Sequence, residues 1–159
     1  MNNKDYFVRL GTLVSNLQSL EFFLRVYLQQ MPDSKPFGIP KGKDIYQYPV
    51  GSELPLNDIT SYDTLNDLIR KHNKYAVKQG EEIVDESIVD LRDALAHGRV
   101  SASSPNSSLR LLKFSRPNRT NKDKVLVKFN EVLSLDYLDQ QIKRIHAAIM
   151  IVNAKLINQ

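Results

Sequence analysis

Apolar residues recur at spacings of three and four at both ends of the chain, which is the pattern of helices that bury one face. The first stretch predicts a helix from Asp5 to about Gln30. The last predicts a helix from Asp136, or from a cap at Ser134, to about Leu156. The two apolar stripes consist of Leu10, Leu13, Leu17, Leu20, Leu24, Tyr27 and Met31, and of Leu138, Ile142, Ile145, Ile149, Val152 and Leu156.

A shorter stripe in the middle of the chain predicts a second helix from Tyr62 to Lys78. Ser61 or Asp58 is the expected cap, and Gly80 is expected to close the helix. His72 falls on the buried stripe or at its edge. A lone histidine in that position is more often a core residue than a catalyst.

The segment from Pro32 to Asp58 interrupts the helical pattern, because its closely spaced prolines and glycines exclude a long helix or a central strand. Long loops within a compact domain are often functional. The favoured interpretation is a surface loop whose tyrosines cover apolar patches. The alternative is that Tyr46 and Tyr48 stack on bases while Lys41 and Lys43 bind phosphate.

The stretch from Ile83 to Arg99, IVDESIVDLRDALAHGR, predicts a third helix that ends at or just after His97. Acidic residues at its beginning favour a helix N-terminus. Gly98 is expected to end the helix by taking a positive φ angle. The residues of its buried stripe are Val84, Ile88, Leu91 and Leu95.

The polar side of this helix carries Arg92, Asp93 and His97. Asp93 is four residues before His97 and therefore on the same face, whereas Arg92 and His97 diverge by about 140° on a regular helix. Either the last turn deforms, or a second subunit brings the two kinds of side chain together. Val89 and Ala96 form a small apolar strip between them that a partner can bury.

After His97 the apolar pattern changes to a period of two, which predicts three short strands. The expected strands are Arg99–Ser103, Leu109–Ser115 and Lys124–Phe129. The predicted fold is therefore mainly α: an antiparallel four-helix bundle with a small β insertion, residues 99–129, between the third and fourth helices. The 159 residues fit a single domain.

Composition narrows the chemistry further. The chain has no cysteine, which excludes disulfides, thiol nucleophiles and thiolate zinc sites. Its three histidines are scattered along the sequence and form no metal-ligand cluster. We therefore expect no metal or other cofactor. No signal peptide and no membrane-spanning stretch are recognisable, so we expect a cytoplasmic protein without a membrane partner.

Positive charge is concentrated directly after His97. Between Arg99 and Lys128 there are eight basic residues and one acid, an excess of seven against a net charge of +4 for the whole chain. This arrangement favours an RNA backbone as partner, and a solvated hairpin with a basic tip is the equally weighted alternative. The expected RNA-binding residues are Arg99, Arg110, Lys113, Arg116 and Arg119.

The order Arg92, Asp93, three residues and His97, within RDALAHG, resembles the signature of the HEPN superfamily. The resemblance implies a metal-independent endoribonuclease of a toxin–antitoxin or phage-defence system, or an inactive relative that binds RNA or protein. It also implies a homodimer that pairs two motifs, which places Val89 and Ala96 at the interface. An antitoxin such as a small nucleotidyltransferase is a further expected partner.

The side chains of the motif suit this chemistry. His97 can take the proton of a 2′-hydroxyl, and Arg92 can stabilise the charge that develops on the phosphate. Asp93 can hold the imidazole in one tautomer. The competing interpretation is structural: His97 interacts with the helix dipole, and Arg92 pairs with an acid such as Asp85 or Glu86.

Overall fold

The computed structural model describes residues 3–40, 43–102, 108–117 and 123–157. Over these residues the chain is mainly helical, with a three-stranded antiparallel sheet between the third and fourth helices, which confirms the predicted class. None of the described helices is long and apolar enough to cross a membrane. The helices are α1 (Asn3–Gln29), α2 (Leu65–Gln79), α3 (Ile88–His97) and α4 (Leu135–Ile157), and the strands are β1 (Arg99–Ser101), β2 (Arg110–Phe114) and β3 (Val127–Val132).

The chain divides into two compact units, and α1 and α4 contribute residues to both. The first unit consists of Met1–Gln18 and Asp85–Ala148, and the second of Ser19–Val84 and Ile149–Gln159. Each unit has its own buried apolar residues. Those of the first are Tyr6, Leu13, Leu17, Ile88, Leu91, Ala94, Leu111, Leu133, Leu138, Ile145 and Ala148, and those of the second are Leu20, Leu24, Tyr27, Leu28, Met31, Ile39, Leu65, Leu68, Ile69, Ala76, Val84 and Val152.

The bounds of α1 and α4 agree with the periodic pattern to within one or two residues. In the first unit, Nε of Arg9 in α1 lies 2.7 Å from a carboxylate oxygen of Asp139 in α4. Ser134 caps α4 as predicted, because its hydroxyl oxygen accepts a hydrogen bond of 3.1 Å from the backbone N–H of Tyr137. Long stripes are reliable because many residues report the same period.

The start of α2 differs from the prediction. Thr64, rather than Ser61 or Asp58, is the cap: its hydroxyl oxygen accepts from the backbone N–H of Asp67, and the Asp67 carboxylate accepts from the backbone N–H of Thr64. This capping box satisfies two backbone donors at once. Tyr62, predicted as the first residue of the helix, precedes it and is fully exposed.

Arg25 of α1 explains why the segment before α2 is not helical. Its guanidinium donates to the backbone carbonyl oxygens of Ser61 and Asp63 at 2.9 and 2.8 Å. It also pairs with Glu21 at 3.0 Å, and only 13% of its side chain is exposed. These hydrogen bonds hold the segment before α2 in a non-helical conformation, and the helix starts after it.

His72 is a buried core residue of the second unit, as the stripe predicted. Its Nδ1 lies 3.1 Å from Oδ1 of Asn73, and its ring centroid lies 4.7 Å from that of Tyr27. Burial lowers the pKa of His72 below the usual histidine value. The side chain is therefore neutral near pH 7 and has a structural place in the core.

The third helix is much shorter than predicted, because it begins at Ile88 rather than near Ile83. The side chain of Asn73 donates to the carbonyl oxygen of Val84 at 2.8 Å and accepts from its backbone N–H at 2.9 Å. Since both backbone groups of Val84 are occupied, the residues around it cannot form a helical turn. Asp85 then accepts from the backbone N–H of Ser87 at 2.9 Å, which stabilises a turn.

The Pro-rich segment contains one regular element among its described residues, a 3₁₀ turn at Ile45–Gln47. Asp44 caps this turn by accepting from the backbone N–H of Tyr46 at 2.9 Å. The Tyr46 side chain is exposed, and Lys41, predicted as its phosphate-binding neighbour, lies outside the described residues. The covering loop and the base-stacking surface both stay predictions.

The three strands form a sheet of order β1-β2-β3, and α3 contacts both β2 and β3. Leu111, the second residue of β2, is buried. The first two strands begin close to their predicted positions, but β3 begins at Val127 and continues to Val132, beyond the predicted end at Phe129. Its register includes a bulge opposite Lys113 and Phe114, which a period-two pattern does not reveal.

Candidate functional site: a groove at the end of α3

A groove of about 720 Å³ is formed by the last turns of α3 together with β2, β3 and the two residues after β2. Two of the three motif residues, Asp93 and His97, line it. Basic and aromatic side chains from the sheet complete the lining. The lining residues are Asp90, Asp93, His97, Lys113, Phe114, Ser115, Arg116, Lys128 and Phe129.

The position of His97 depends on the junction between α3 and β1. The backbone N–H of Gly98 donates to the carbonyl oxygen of Ala94 at 2.7 Å, so the helical hydrogen bonds continue regularly to the end of α3. Gly98 itself has φ −80° and ψ 178°, an extended conformation, and the predicted positive φ angle is wrong.

Close packing, rather than backbone conformation, explains the glycine at position 98. A Cβ atom there would lie 2.8 Å from Cδ1 of Leu111 and 2.9 Å from the carbonyl oxygen of Leu112, and it would overlap the carbonyl oxygen of Ala94. The glycine therefore lets the chain pass from α3 into β1 while its backbone stays in close contact with β2. As a consequence, His97 lies at the edge of the sheet that carries the basic residues.

The regular end of α3 keeps Arg92 and His97 apart. The helix does not deform in its last turn, which was one of the two ways in which these side chains were expected to converge. Arg92 is not among the residues that line the groove, whereas His97 is. Within one chain, the motif thus delivers its histidine and its aspartate to the groove, but not its arginine.

Asp93 interacts with two cations. One carboxylate oxygen lies 3.1 Å from Nζ of Lys113, and the other lies 3.4 Å from Nη1 of Arg92. The expected hydrogen bond between the side chains of Asp93 and His97 is absent: the His97 side chain is exposed and makes no hydrogen bond to a described residue, and the Asp93 carboxylate accepts from Arg92 and Lys113. The acid that Arg92 pairs with is thus Asp93, while Asp85 pairs with Arg144 at 2.6 Å.

The predicted RNA-binding residues separate onto two faces of the sheet. Lys113 and Arg116 line the groove with His97. Arg99 pairs in register with Leu112, and Arg110 with Ser101, so alternation along the strands puts both arginines on the face opposite Lys113. Arg119, the fifth predicted residue, lies outside the described residues.

The opposite face has its own interactions. The Arg99 guanidinium lies 5.8 Å from the centroid of the Phe114 ring, a cation–π arrangement. Arg110 donates to the side-chain oxygen of Asn130 at 2.6 Å. Both arginines are exposed, so this face adds positive charge without contributing a side chain to the groove, apart from Phe114 at its border.

The two residues of the apolar strip predicted as a dimer interface differ in their exposure. Val89 is half-buried within its own unit, and Ala96 is exposed next to His97. Leu95, expected in the core, is also only half-buried, while Ala94 takes the buried position in the last turn. A strip of this size contributes little by itself to an interface.

Sequence reasoning did not assign Lys128 and Phe129 to the site. Phe129 pairs with Lys113 across the sheet, and both it and Lys128 line the groove. The only signal in the sequence was the basic run itself. The bulge in β3 determines which side chains of that strand reach the groove, and the sequence pattern does not reveal the bulge. No cluster of three or more potential metal ligands occurs in the described part of the chain.

An exposed histidine beside lysine and arginine side chains can bind a phosphodiester and accept a proton from a hydroxyl group next to it. Comparison of the chain with protein-family models, with curated proteins and with solved structures gives no significant match. The functional assignment therefore depends on the residues of the groove and their geometry.

Proposed function

We propose that the protein is a metal-independent endoribonuclease of the HEPN type, acting in a toxin–antitoxin or phage-defence system. The observation that carries the proposal is the groove in which the exposed His97 lies together with Lys113 and Arg116. These are the two kinds of group that RNA cleavage without a metal requires: a side chain that can accept a proton and cations that bind the phosphate.

In the proposed reaction, His97 takes the proton of the ribose 2′-hydroxyl as its oxygen attacks the adjacent phosphorus. The new P–O2′ bond forms while the P–O5′ bond breaks, and the leaving 5′ oxygen takes a proton from water. The products are a 2′,3′-cyclic phosphate and a 5′-hydroxyl. DNA is not cleaved, because it lacks the attacking hydroxyl.

Arg92 has its role in a homodimer. Because Arg92 diverges from His97 on a regular α3, a second subunit packed at Val89 and Ala96 supplies its Arg92 to the groove and stabilises the charge on the phosphate. The four helices form an antiparallel bundle within one cytoplasmic domain, and a small nucleotidyltransferase acts as the antitoxin. The carboxylate of Asp93 keeps the cations near the site in place before RNA binds.

A second candidate is a catalytically silent bundle that binds RNA or protein. The interactions of Asp93 favour it, because this carboxylate pairs with Lys113 and Arg92 and leaves His97 without a hydrogen bond to any described side chain. A base without a positioning partner can bind RNA in the groove and still fail to cleave it.

The test is cleavage of a labelled structured RNA by the purified protein in excess chelator. We expect the wild type to release a 2′,3′-cyclic phosphate, and His97→Ala and Arg92→Ala to lose at least about a hundredfold in rate. His146→Ala is the matched control, since His146 is an exposed histidine on α4, and it should cleave like the wild type.

Other outcomes separate the alternatives. If the wild type cleaves no RNA but binds it, and His97→Ala weakens binding, the silent module is correct. If His97→Ala cleaves as fast as the wild type, the catalytic role of His97 is wrong. Cleavage of an otherwise identical DNA would contradict the attack by a 2′-hydroxyl.

A further inference from the structure

We infer that Lys113, positioned by Asp93, is the cation that receives the scissile phosphate beside His97 within one chain; the inference rests on the ribonuclease function proposed above. The motif arginine does not line the groove, and Lys113 does. The groove therefore has a resident cation of its own, from a strand that follows the motif by more than a dozen residues.

The location of Lys113 suits this role. It lies in β2, where Phe129 pairs with it across the sheet, so its backbone is held by strand hydrogen bonds. Its side chain is 22% exposed, compared with 39% for Arg92. A partly desolvated cation interacts more strongly with a phosphate than a cation surrounded by water.

Asp93 determines where the ammonium group of Lys113 is held. The 3.1 Å contact between Nζ and the Asp93 carboxylate brings it to the face of α3 that also carries His97, one turn later. Because an ammonium group has three donors, Lys113 can donate to an incoming phosphate oxygen while Asp93 still accepts a hydrogen bond from it. Asp93 is thus a positioning residue, and Lys113 is the residue that contacts substrate.

Arg116 and Lys128 extend the positive charge along the groove. Phosphates on either side of the scissile one can bind to these two side chains. The carboxylates of Asp90 and Asp93 repel phosphates from the α3 side of the groove. The substrate that fits is a single RNA strand that passes with its backbone along the sheet side of the groove, where Phe114 and Phe129 offer rings to its bases.

The first arm of the experiment measures cleavage rates. We expect Lys113→Ala to lower kcat by about 10- to 100-fold, and Lys113→Arg to recover part of that loss because the charge returns. Arg110→Ala is the matched control: it removes a cation three residues earlier in the same strand, on the opposite face, and should change kcat less than about twofold.

The second arm does not depend on cleavage. Binding of a fluorescent RNA whose 2′-hydroxyls are methylated is measured by anisotropy at several salt concentrations. Lys113→Ala should weaken binding about tenfold and reduce the salt dependence by about one phosphate contact, whereas Arg110→Ala should not. Lys113→Met, which keeps most of the apolar stem, and thermal unfolding of every variant exclude a folding defect.

Each result decides a separate question. If wild-type protein cleaves RNA and His97→Ala does not, but Lys113→Ala matches Arg110→Ala in both arms, the inference about Lys113 is wrong and the ribonuclease function stands. If no RNA is cleaved and Lys113→Ala still binds RNA more weakly than Arg110→Ala, the groove is an RNA-binding site and the proposed ribonuclease activity is wrong. Equal binding by Lys113→Ala and wild type overturns the inference even without cleavage.

Discussion

The ammonium nitrogen of Lys113 lies 3.1 Å from a carboxylate oxygen of Asp93, although the two residues are 20 positions apart in the chain. The same carboxylate lies 3.4 Å from Arg92 through its other oxygen. The sequence predicted that Asp93 would hold the His97 imidazole. In the structure the carboxylate is paired with Lys113 instead, because β2 brings this lysine to the motif.

Replacing Asp93 with Asn should strengthen RNA binding, because it removes a negative charge from the groove and releases Lys113 from its ion pair. Partly exposed ion pairs contribute up to about 1 kcal/mol, so the dissociation constant should fall by about two- to fivefold. The measurement is anisotropy with the methylated RNA at low and moderate salt. A purely structural role for Asp93 would weaken binding instead.

Asp90→Asn is the control for this prediction. Asp90 lines the same groove and lies on the same helix, so the change of charge is equal. No ion pair joins Asp90 to a described cation of the groove, and its replacement should therefore strengthen binding less than Asp93→Asn. Equal effects would show that only the net charge of the groove matters, and not the contact with Lys113.

Gly98→Ala should lower the free energy of unfolding by about 1–3 kcal/mol, the usual cost of forcing an extra methyl group into a packed site. The new Cβ would lie within 3 Å of Leu111 and Leu112 and would push the end of α3 away from β2. Urea unfolding followed by circular dichroism measures the change. RNA binding should weaken as well, since His97 directly precedes this position.

Gly11→Ala is the matched control. Gly11 lies in the interior of α1, and nothing lies within 4 Å of a Cβ atom added there. Alanine is favoured over glycine within a helix, so this variant should be about 0.5–1 kcal/mol more stable than the wild type. If both glycine variants are stabilised, the close approach at Gly98 is not a constraint on folding.

His72 should make the stability of the protein depend on pH in mildly acidic solution. Because burial lowers its pKa in the folded chain, the unfolded chain binds more protons between that lowered value and about 6.5. The free energy of unfolding should be fully retained above about pH 6.5 and should fall as the pH decreases through this window. One proton accounts for at most about 1.4 kcal/mol per pH unit.

Urea unfolding at closely spaced pH values checks this prediction. His72→Gln should be less stable overall but should show a flatter profile in the same window, whereas His146→Gln, at an exposed position, should keep the slope of the wild type. The Lys71 ammonium lowers the pKa of Asp63, and such carboxyl groups change the free energy of unfolding only below about pH 4. An unchanged slope in His72→Gln would contradict the assignment.

Local pattern was sufficient for much of the fold. The stripes of α1 and α4 fixed their bounds closely, Gly80 closes α2 in the left-handed conformation, with φ 67°, and α3 ends at His97. These features depend on residues close in sequence, so periodicity and capping chemistry are enough to predict them. The buried place of His72 followed from the same stripe.

Contacts between distant residues decided the features that the pattern missed. Asn73 occupies both backbone groups of Val84 and so shortens α3, and Arg25 binds the carbonyl groups before α2 and so delays its start. Neither interaction has a signal in the local sequence, because each joins a side chain to the backbone of another segment.

The candidate site divides in the same way. The sequence by itself determined the chemical groups: a motif with Arg92, Asp93 and His97 on one helix, followed by a strongly basic stretch. Only the tertiary structure decided which of them meet. Strand pairing turns Lys113 toward the groove and Arg110 away from it, because adjacent residues of a strand face opposite sides and the register depends on all three strands together.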